Sequence, residues 1–375
     1  MMKVMYITDQ IYLHGGGERV LTNKSNYFLE NNLAEIFIVT SEQKGNPPCY
    51  PINKKVIFKD LAINYDRTKS YFSIANFIKI PSHFFKLKRT IREINPDVVV
   101  TLSTQFDFYF LPFIMAKIPK IKEYHSSGHQ NALNRQNNTS FLRKLFFKIN
   151  DYIESKYDTI AVLTKDEEQY YNSHNIVVIP NALTNYPSKT SSLQNKVAIS
   201  AGRIAPVKQF DKLINAWAYV ANVYPDWKLE IYGNGDTNDI EVLQKIINKC
   251  NLTNQVQLCG ATNELEVAML NASLYVMSSQ TECFPMVLLE AMSCGLPVIS
   301  FDCPHGPKNI INEAIDGHLV ERDNEKKLAD AVLSIINNKD NLQKKGKQAR
   351  ENIRRFNQDI IMNQWIVLFN NLTKI

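Results

Sequence analysis

Four charged residues of this chain sit where their types and spacing could do chemistry. Glu282 and Glu290 stand eight positions apart within the stretch Ser279–Ser300. Glu290 falls among Val287, Leu288, Leu289, Ala291 and Met292, an apolar helical run in which a charge is costly unless it meets a partner. Glu282 comes earlier, in the loop after the apolar run Leu274–Met277, at the edge where open α/β sheets bind ligands. Between the two, the first unpaired N–H groups of the helix, near Met286 and Val287, form a natural anion seat. A phosphate seat flanked by two hydroxyl-binding carboxylates suits a sugar nucleotide. On spacing alone, Glu290 could equally snorkel or cap something structural. Arg203 and Lys208 supply two cations five residues apart at a strand-to-helix turn. Arginine would grip a diphosphate bidentately and lysine as a point charge, unless both are ordinary solvated surface charges.

These residues need a frame to hold them. Leu274–Met277 reads as a short buried strand. Pro285 suits a first helical position, Gly295 a left-handed cap, and Val298-Ile299-Ser300 a second strand. The rest of the chain repeats this alternation. In the first half, strands are expected at 3–8, 36–40, 96–102, 120–124, 159–164 and 176–181, with an irregular region over 42–66 marked by Pro47, Pro48 and Pro51. In the second half they fall at 197–201, 227–232, 256–262 and 317–320. Strands alternating with helices imply an α/β chain with parallel sheets. The polar stretch 184–196 reads as a linker.

Two further loops are candidates. His14-Gly15-Gly16-Gly17 follows the first strand and opens a helix expected over 18–31. It is not the dinucleotide fingerprint, because Val20 takes the third glycine's place, and Gly233-Asn-Gly235 fails likewise at Asn238. Each is a backbone-approach loop or simply a tight turn. His125 directly follows a strand, where it could bond a sugar hydroxyl or a developing charge, or be merely structural; His129 is its local competitor.

Length and composition bound the rest. A chain of 375 residues exceeds one ordinary core, so two domains are expected. With 45% hydrophobic and 21% charged residues it reads as soluble and globular, and no apolar run reaches membrane-spanning length. Asp9 and Gln10 interrupt any signal-peptide layout, which points to the cytoplasm. Six cysteines without Cys-x-x-Cys spacing indicate neither zinc nor disulfides, and a net charge of +6 is too mild to argue for nucleic acid. Two basic amphipathic stretches, 82–92 and 141–148, either pack on a sheet with lysines outward or rest on anionic lipid.

The stretch from Glu282 through Phe284-Pro285 and Glu290 to Glu-Ala-Met-Ser-Cys-Gly-Leu-Pro-Val298 resembles the motif of retaining GT-B glycosyltransferases, most closely glycosyltransferase family 4 and, through Cys303–Ile311, its surface-polysaccharide subgroup. The resemblance implies two Rossmann-like doubly wound domains facing across a cleft: 1–185 on the acceptor side, 186–357 binding the nucleotide sugar, and a 358–375 helix packing back on the first. It implies donor contacts from Gly16, Gly17, Arg203, Lys208, Gly233, Thr262, Phe284, Met286, Val287 and Glu290, with Glu282 and His125 at the reacting sugar. Asn309 departs from an acidic residue frequent in the subgroup.

The implied reaction moves a hexose or N-acetylhexosamine, from a UDP-sugar ahead of GDP-mannose, to a glycan, the expected acceptor being a polyprenyl-diphosphate-linked oligosaccharide. No Asp-x-Asp occurs, so no metal or other cofactor is expected. Partners would be the donor, the acceptor and an anionic inner membrane face. A sugar-nucleotide epimerase is the main rival. A glycosidase pair at Glu282 and Glu290 would give no reason for a diphosphate clamp.

Overall fold

The structure, a computed structural model, describes residues 1–103, 105–137 and 140–373; the last two residues of the expected 358–375 segment lie outside these. The chain forms two compact units, one of Met1–Ala182 with Asp359–Ile375, the other of Leu183–Gln358.

The first unit holds seven strands: β1 (Met2–Thr8), β2 (Ala34–Thr40), β3 (Ile57–Asp60), β4 (Val98–Thr101), β5 (Lys120–Glu123), β6 (Thr159–Val162) and β7 (Ile176–Val178). Their order is β3-β2-β1-β4-β5-β6-β7, with every neighbouring pair parallel. Val98, Val99 and Val100 of β4 are fully buried, as a strand covered on both faces requires. Strand order reverses between β1 and β4, so the loops after these strands diverge and leave a crevice at their C-terminal edge.

The second unit holds β8 (Val197–Ala201), β9 (Lys228–Tyr232), β10 (Val256–Gly260), β11 (Leu274–Met277), β12 (Val298–Phe301) and β13 (Gly317–Val320) in the order β10-β9-β8-β11-β12-β13. All pairs are parallel, and the switch lies between β8 and β11.

Four expectations are corrected. The region 42–66 contains β3, an exposed edge strand that pairs with β2 in parallel, with Thr40 Oγ1 donating to Asp60 Oδ1 at 3.0 Å; the region's prolines all precede it. The first helix spans Gly16–Glu30, starting two residues early, because Gly16 and Gly17 serve as its first residues behind the extended Gly15. Pro285 is the cap rather than the first residue of the helix Met286–Ser293. The presumed linker is fastened to the second unit. Ser191 N–H donates to the Cys294 carbonyl at 2.8 Å, Leu193 is buried, and Arg350 stacks 4.1 Å from the Tyr186 ring. A serine-rich stretch can be ordered by such local bonds as readily as left loose.

The helix Gln358–Thr373 packs on the first unit, burying Ile361, Met362, Trp365 and Phe369, with Phe369 5.9 Å from the Phe28 ring centroid. Among the described residues, no helix is long and apolar enough to cross a membrane.

Candidate functional site

In the second unit the two predicted groups meet at the switch point. β8 runs into Gly202-Arg203, and a single tight turn, Pro206–Lys208, ends at Gln209 with φ +48. That turn projects Lys208 across the switch to the loop after β11, where its Nζ lies 2.5 Å from Glu282 Oε1. Ser278 Oγ donates to the Lys208 carbonyl at 2.9 Å and Gln280 N–H to the Val207 carbonyl at 2.8 Å, locking the two loops together. Arg203 is exposed and makes no ion pair among the described residues.

Glu282 is held from behind. Its carbonyl accepts the N–H groups of His305 and Gly306 at 3.1 and 3.2 Å, and its own N–H donates to the Pro304 carbonyl. A Cβ on Gly306 would lie 2.6 Å from Pro285 Cδ and 3.1 Å from Glu282 Cβ, so glycine is required for this close approach. Asn309 donates through Nδ2 to the His305 carbonyl, tethering the same strap; an ionised acidic residue there would have no N–H to give.

Pro285 then caps the helix Met286–Ser293, whose first residues Met286 and Val287 are half-buried. Glu290, also half-buried, sits one turn further along. The helix stops in a Schellman motif: Gly295 takes φ +78, Leu296 N–H donates to Ala291 and Gly295 N–H to Met292. Beneath the site lies the fully buried Tyr275, hydrogen-bonded to Ala201 at the end of β8. Burial first, and then the charges of Glu282 and Glu290, push its phenol well above the usual range. Both carboxylates therefore bear on one side chain at the β8/β11 switch.

Three predicted residues have other local duties. Gly233 (φ +145) carries the Gly202 carbonyl, which an added Cβ would meet at 1.8 Å. The Phe284 ring is buried edge-on against Phe356 at 5.2 Å, leaving its backbone to face the helix start. Thr262 is exposed and accepts the Glu264 N–H at 3.0 Å.

The first unit presents its candidates at its own switch. Gly16 and Gly17 open a helix at the end of β1's loop, and a Cβ on Gly17 would come within 3.9 Å of the His125 ring. His125 Nε2 stands 3.1 Å from Glu123 Oε1, the oxygen that also takes Lys24 Nζ at 2.5 Å. Lys24 and Glu123 are 1% and 2% exposed, and Lys24 Nζ lies 3.6 Å from the Trp365 ring of the C-terminal helix. Burial alone would raise the Glu123 carboxyl, but Lys24 and His125 hold it at about 2. His129, the rival histidine, instead faces the Tyr170 hydroxyl at 3.2 Å. Glu167 fixes the intervening turn by accepting from Ser127 Oγ at 2.6 Å and Gly128 N–H at 2.7 Å.

Sequence reasoning missed Lys24, Glu123 and Glu167: the Lys24–Glu123 pair spans 99 positions and Ser127–Glu167 spans 40. It also missed a cluster at the ends of β1 and β2, where Arg67 bridges Asp9 (2.5 Å) and Glu42, with Gln105 donating to Glu42 at 2.9 Å.

Residues 184–354 match the model of a family described as glycosyl transferases group 1. An uncharacterized glycosyltransferase of Haemophilus influenzae is 28% identical over 345 residues, covering 90% of this chain and 91% of that one. The amylovoran biosynthesis glycosyltransferase AmsD of Erwinia amylovora is 25% identical over 384 residues, covering 99% of this chain and 100% of its own. A crystal structure of an S. aureus TarM mutant in complex with Fondaparinux, alpha-GlcNAc-glycerol and UDP superposes with a TM-score of 0.77. It is 19% identical and covers 99% of this chain and 100% of that one, so it bears on the fold alone.

Proposed function

We propose that this chain, whose residues 184–354 match the glycosyl transferases group 1 model, is a GT-B glycosyltransferase that moves a hexose or N-acetylhexosamine from a UDP-sugar to a cell-surface glycan under construction, with retention at the anomeric carbon. The observation that carries this reading is the Lys208–Glu282 pair, 2.5 Å apart beside the start of the helix Met286–Ser293. A cation, a run of helical N–H groups and a carboxylate at one sheet edge are what a diphosphate bonded to a polyol requires.

In the proposed mechanism Arg203, Lys208 and the N–H groups near Phe284, Met286 and Val287 take the leaving diphosphate. Glu290 holds the ribose hydroxyls and Glu282 a hydroxyl of the transferred sugar. The loop ends at Gly233 and Thr262 take the base side. On the first unit, the Gly16–Gly17 helix start and His125 are assigned to phosphate and sugar contacts. The acceptor attacks on the face that the diphosphate vacates, and its proton leaves with the departing phosphate oxygen. Stabilising the leaving charge with fixed cations and amides is the main catalytic term, and no metal is invoked. The UDP in the TarM complex and the amylovoran role in the AmsD name favour this donor and this glycan class.

A polyprenyl-diphosphate acceptor and contact with an anionic membrane belong to the same proposal. On the helix Phe141–Glu154, Phe141, Leu142 and Leu145 are 77%, 73% and 46% exposed beside Arg143, Lys144 and Lys148. Phe72, from the neighbouring segment that exposes Ile74 and Ile78, lies 5.6 Å from Phe146. Bulky apolar groups among lysines suit an interfacial helix.

The deciding experiment incubates the protein with a panel of sugar nucleotides, with and without a polyprenyl-diphosphate oligosaccharide. Acceptor-dependent release of UDP is expected; an isomerised donor sugar would instead identify an epimerase, and a preference for GDP-mannose a mannosyltransferase. Flotation with phosphatidylglycerol vesicles, lost in Leu142→Glu, tests the membrane contact.

A further inference from the structure

A second cavity in the first unit has no part in the site above. It encloses about 240 Å³ between β5 and the helices His129–Gln136 and Phe141–Glu154. Phe146, Phe147 and Tyr109 form its apolar walls, while Lys122, Asn150 and Glu154 supply the polar ones.

The polar groups are only partly satisfied. Glu154 is 6% exposed; its Oε1 accepts from the Tyr124 hydroxyl at 2.8 Å, but its buried Oε2 has no partner among the described residues. Asn150 Oδ1 is likewise buried and unpartnered among them. Buried acceptors left without donors are costly, by roughly 1–3 kcal/mol each. Lys122 Nζ donates to the Ser103 carbonyl at 2.7 Å, and Arg135 is ion-paired with Asp151 at 2.6 Å. An anion would meet two bare acceptor oxygens, which repel it and have no hydrogen to give it. The missing ligand must bring hydrogen-bond donors on one edge and an apolar face for the aromatic walls. A pyranose has both, since its hydroxyls lie around the rim and its C–H groups across the ring face.

We infer that this cavity is a carbohydrate subsite that seats one neutral pyranose of the acceptor glycan away from the reacting sugar. Hydroxyls donate to Glu154 Oε2 and Asn150 Oδ1, and the ring face packs on Phe147. The link to the acceptor rests on the transferase reading above; the binding of a pyranose does not. Burial pushes the Glu154 carboxyl up, against the Tyr124 hydroxyl that bonds its other oxygen.

The test is saturation-transfer NMR on the full chain with methyl β-D-glucopyranoside, methyl α-D-galactopyranoside and methyl N-acetyl-β-D-glucosaminide, in excess UDP to occupy the donor site. At least one glycoside is expected to receive saturation. The signal should fall about fivefold or more in both Asn150→Leu and Phe147→Ala, each shown to be folded by an unchanged melting temperature. Each variant should also raise the acceptor KM about tenfold while leaving the donor KM unmoved. Absence of saturation for all three glycosides, or a signal that survives both substitutions as a water-filled packing void would leave it, overturns the inference. Transfer by the wild type without pocket binding sinks this subsite and spares the transferase; pocket binding without transfer does the reverse.

Discussion

The two sheets of this protein use the same topology and arm their ligand edges in opposite ways. At the second sheet, the charged groups stay accessible: Arg203 is exposed, and the Lys208–Glu282 pair is 23% and 14% exposed. At the first, the Glu123 charge is committed inward, while Arg67 and Asp9 stay partly exposed at the same edge. One oxygen of Glu123 is shared by Lys24 and His125, and an aromatic ring from the chain's last helix covers Lys24. A charge that must hand itself to a ligand has to remain wet and exchangeable, whereas one that only positions a histidine is better buried and paired. Buried pairs of that kind hold geometry, and each partner becomes indispensable to the other.

That contrast can be broken most severely at Lys24. Lys24→Met leaves Glu123 without its buried ammonium and is expected to destabilise the first unit by about 3–5 kcal/mol, read as an early urea transition while the transition of the second unit is unchanged. A single unshifted transition would mean that the pair is not structurally critical. Lys208→Ala should do the reverse, leaving both transitions in place while lowering acceptor-dependent UDP release by roughly 10²–10³-fold. Near-normal turnover would remove Lys208 from the site.

Acid sharpens the distinction. The Glu123 carboxyl is held at about 2 when folded, below its unfolded value of about 4.3. Its contribution is therefore fully present above about pH 4.3 and lost as pH falls toward 2. The first unit should lose roughly 2–3 kcal/mol over that interval, and Glu123→Gln should flatten this stretch of the stability–pH curve. A far smaller effect is expected at Asn324, whose side chain accepts the Lys327 N–H at 3.0 Å to cap the helix Glu325–Ile336. Asn324→Ala should cost the second unit about 1 kcal/mol by thermal melting, without altering turnover.

The two edges also differed in how far they could be read in advance. Glu282, Pro285, Glu290 and Gly295 lie on one short strand-loop-helix piece, so local rules of capping and burial were enough to propose their roles. Arg203 and Lys208 also share one turn, but their spacing fitted solvated surface charges equally well, and only the resemblance assigned them to a diphosphate. Lys24, Glu123 and Trp365 come from three distant segments, and nothing within a few residues of any of them announces the others. The edge strand Ile57–Asp60 escaped because its pairing is made by backbone groups, with all four residues exposed. Gly233 was singled out as a backbone-approach glycine, and the packing that demands glycine there is the Gly202 carbonyl, 31 positions earlier.

By itself, then, the amino-acid order determined most of the alternation of strands and helices, and it set Glu282, the start of the helix Met286–Ser293 and Glu290 on one contiguous stretch. These follow from periodicity, caps and turns, which act over a few residues. Only the tertiary structure decided which carboxylate meets Lys208, that His125 rather than His129 shares a buried oxygen with Lys24, and that an aromatic-walled cavity with two bare acceptors opens beside β5. Those outcomes depend on through-space packing between segments tens to hundreds of residues apart, where distance along the chain carries no information about distance in space.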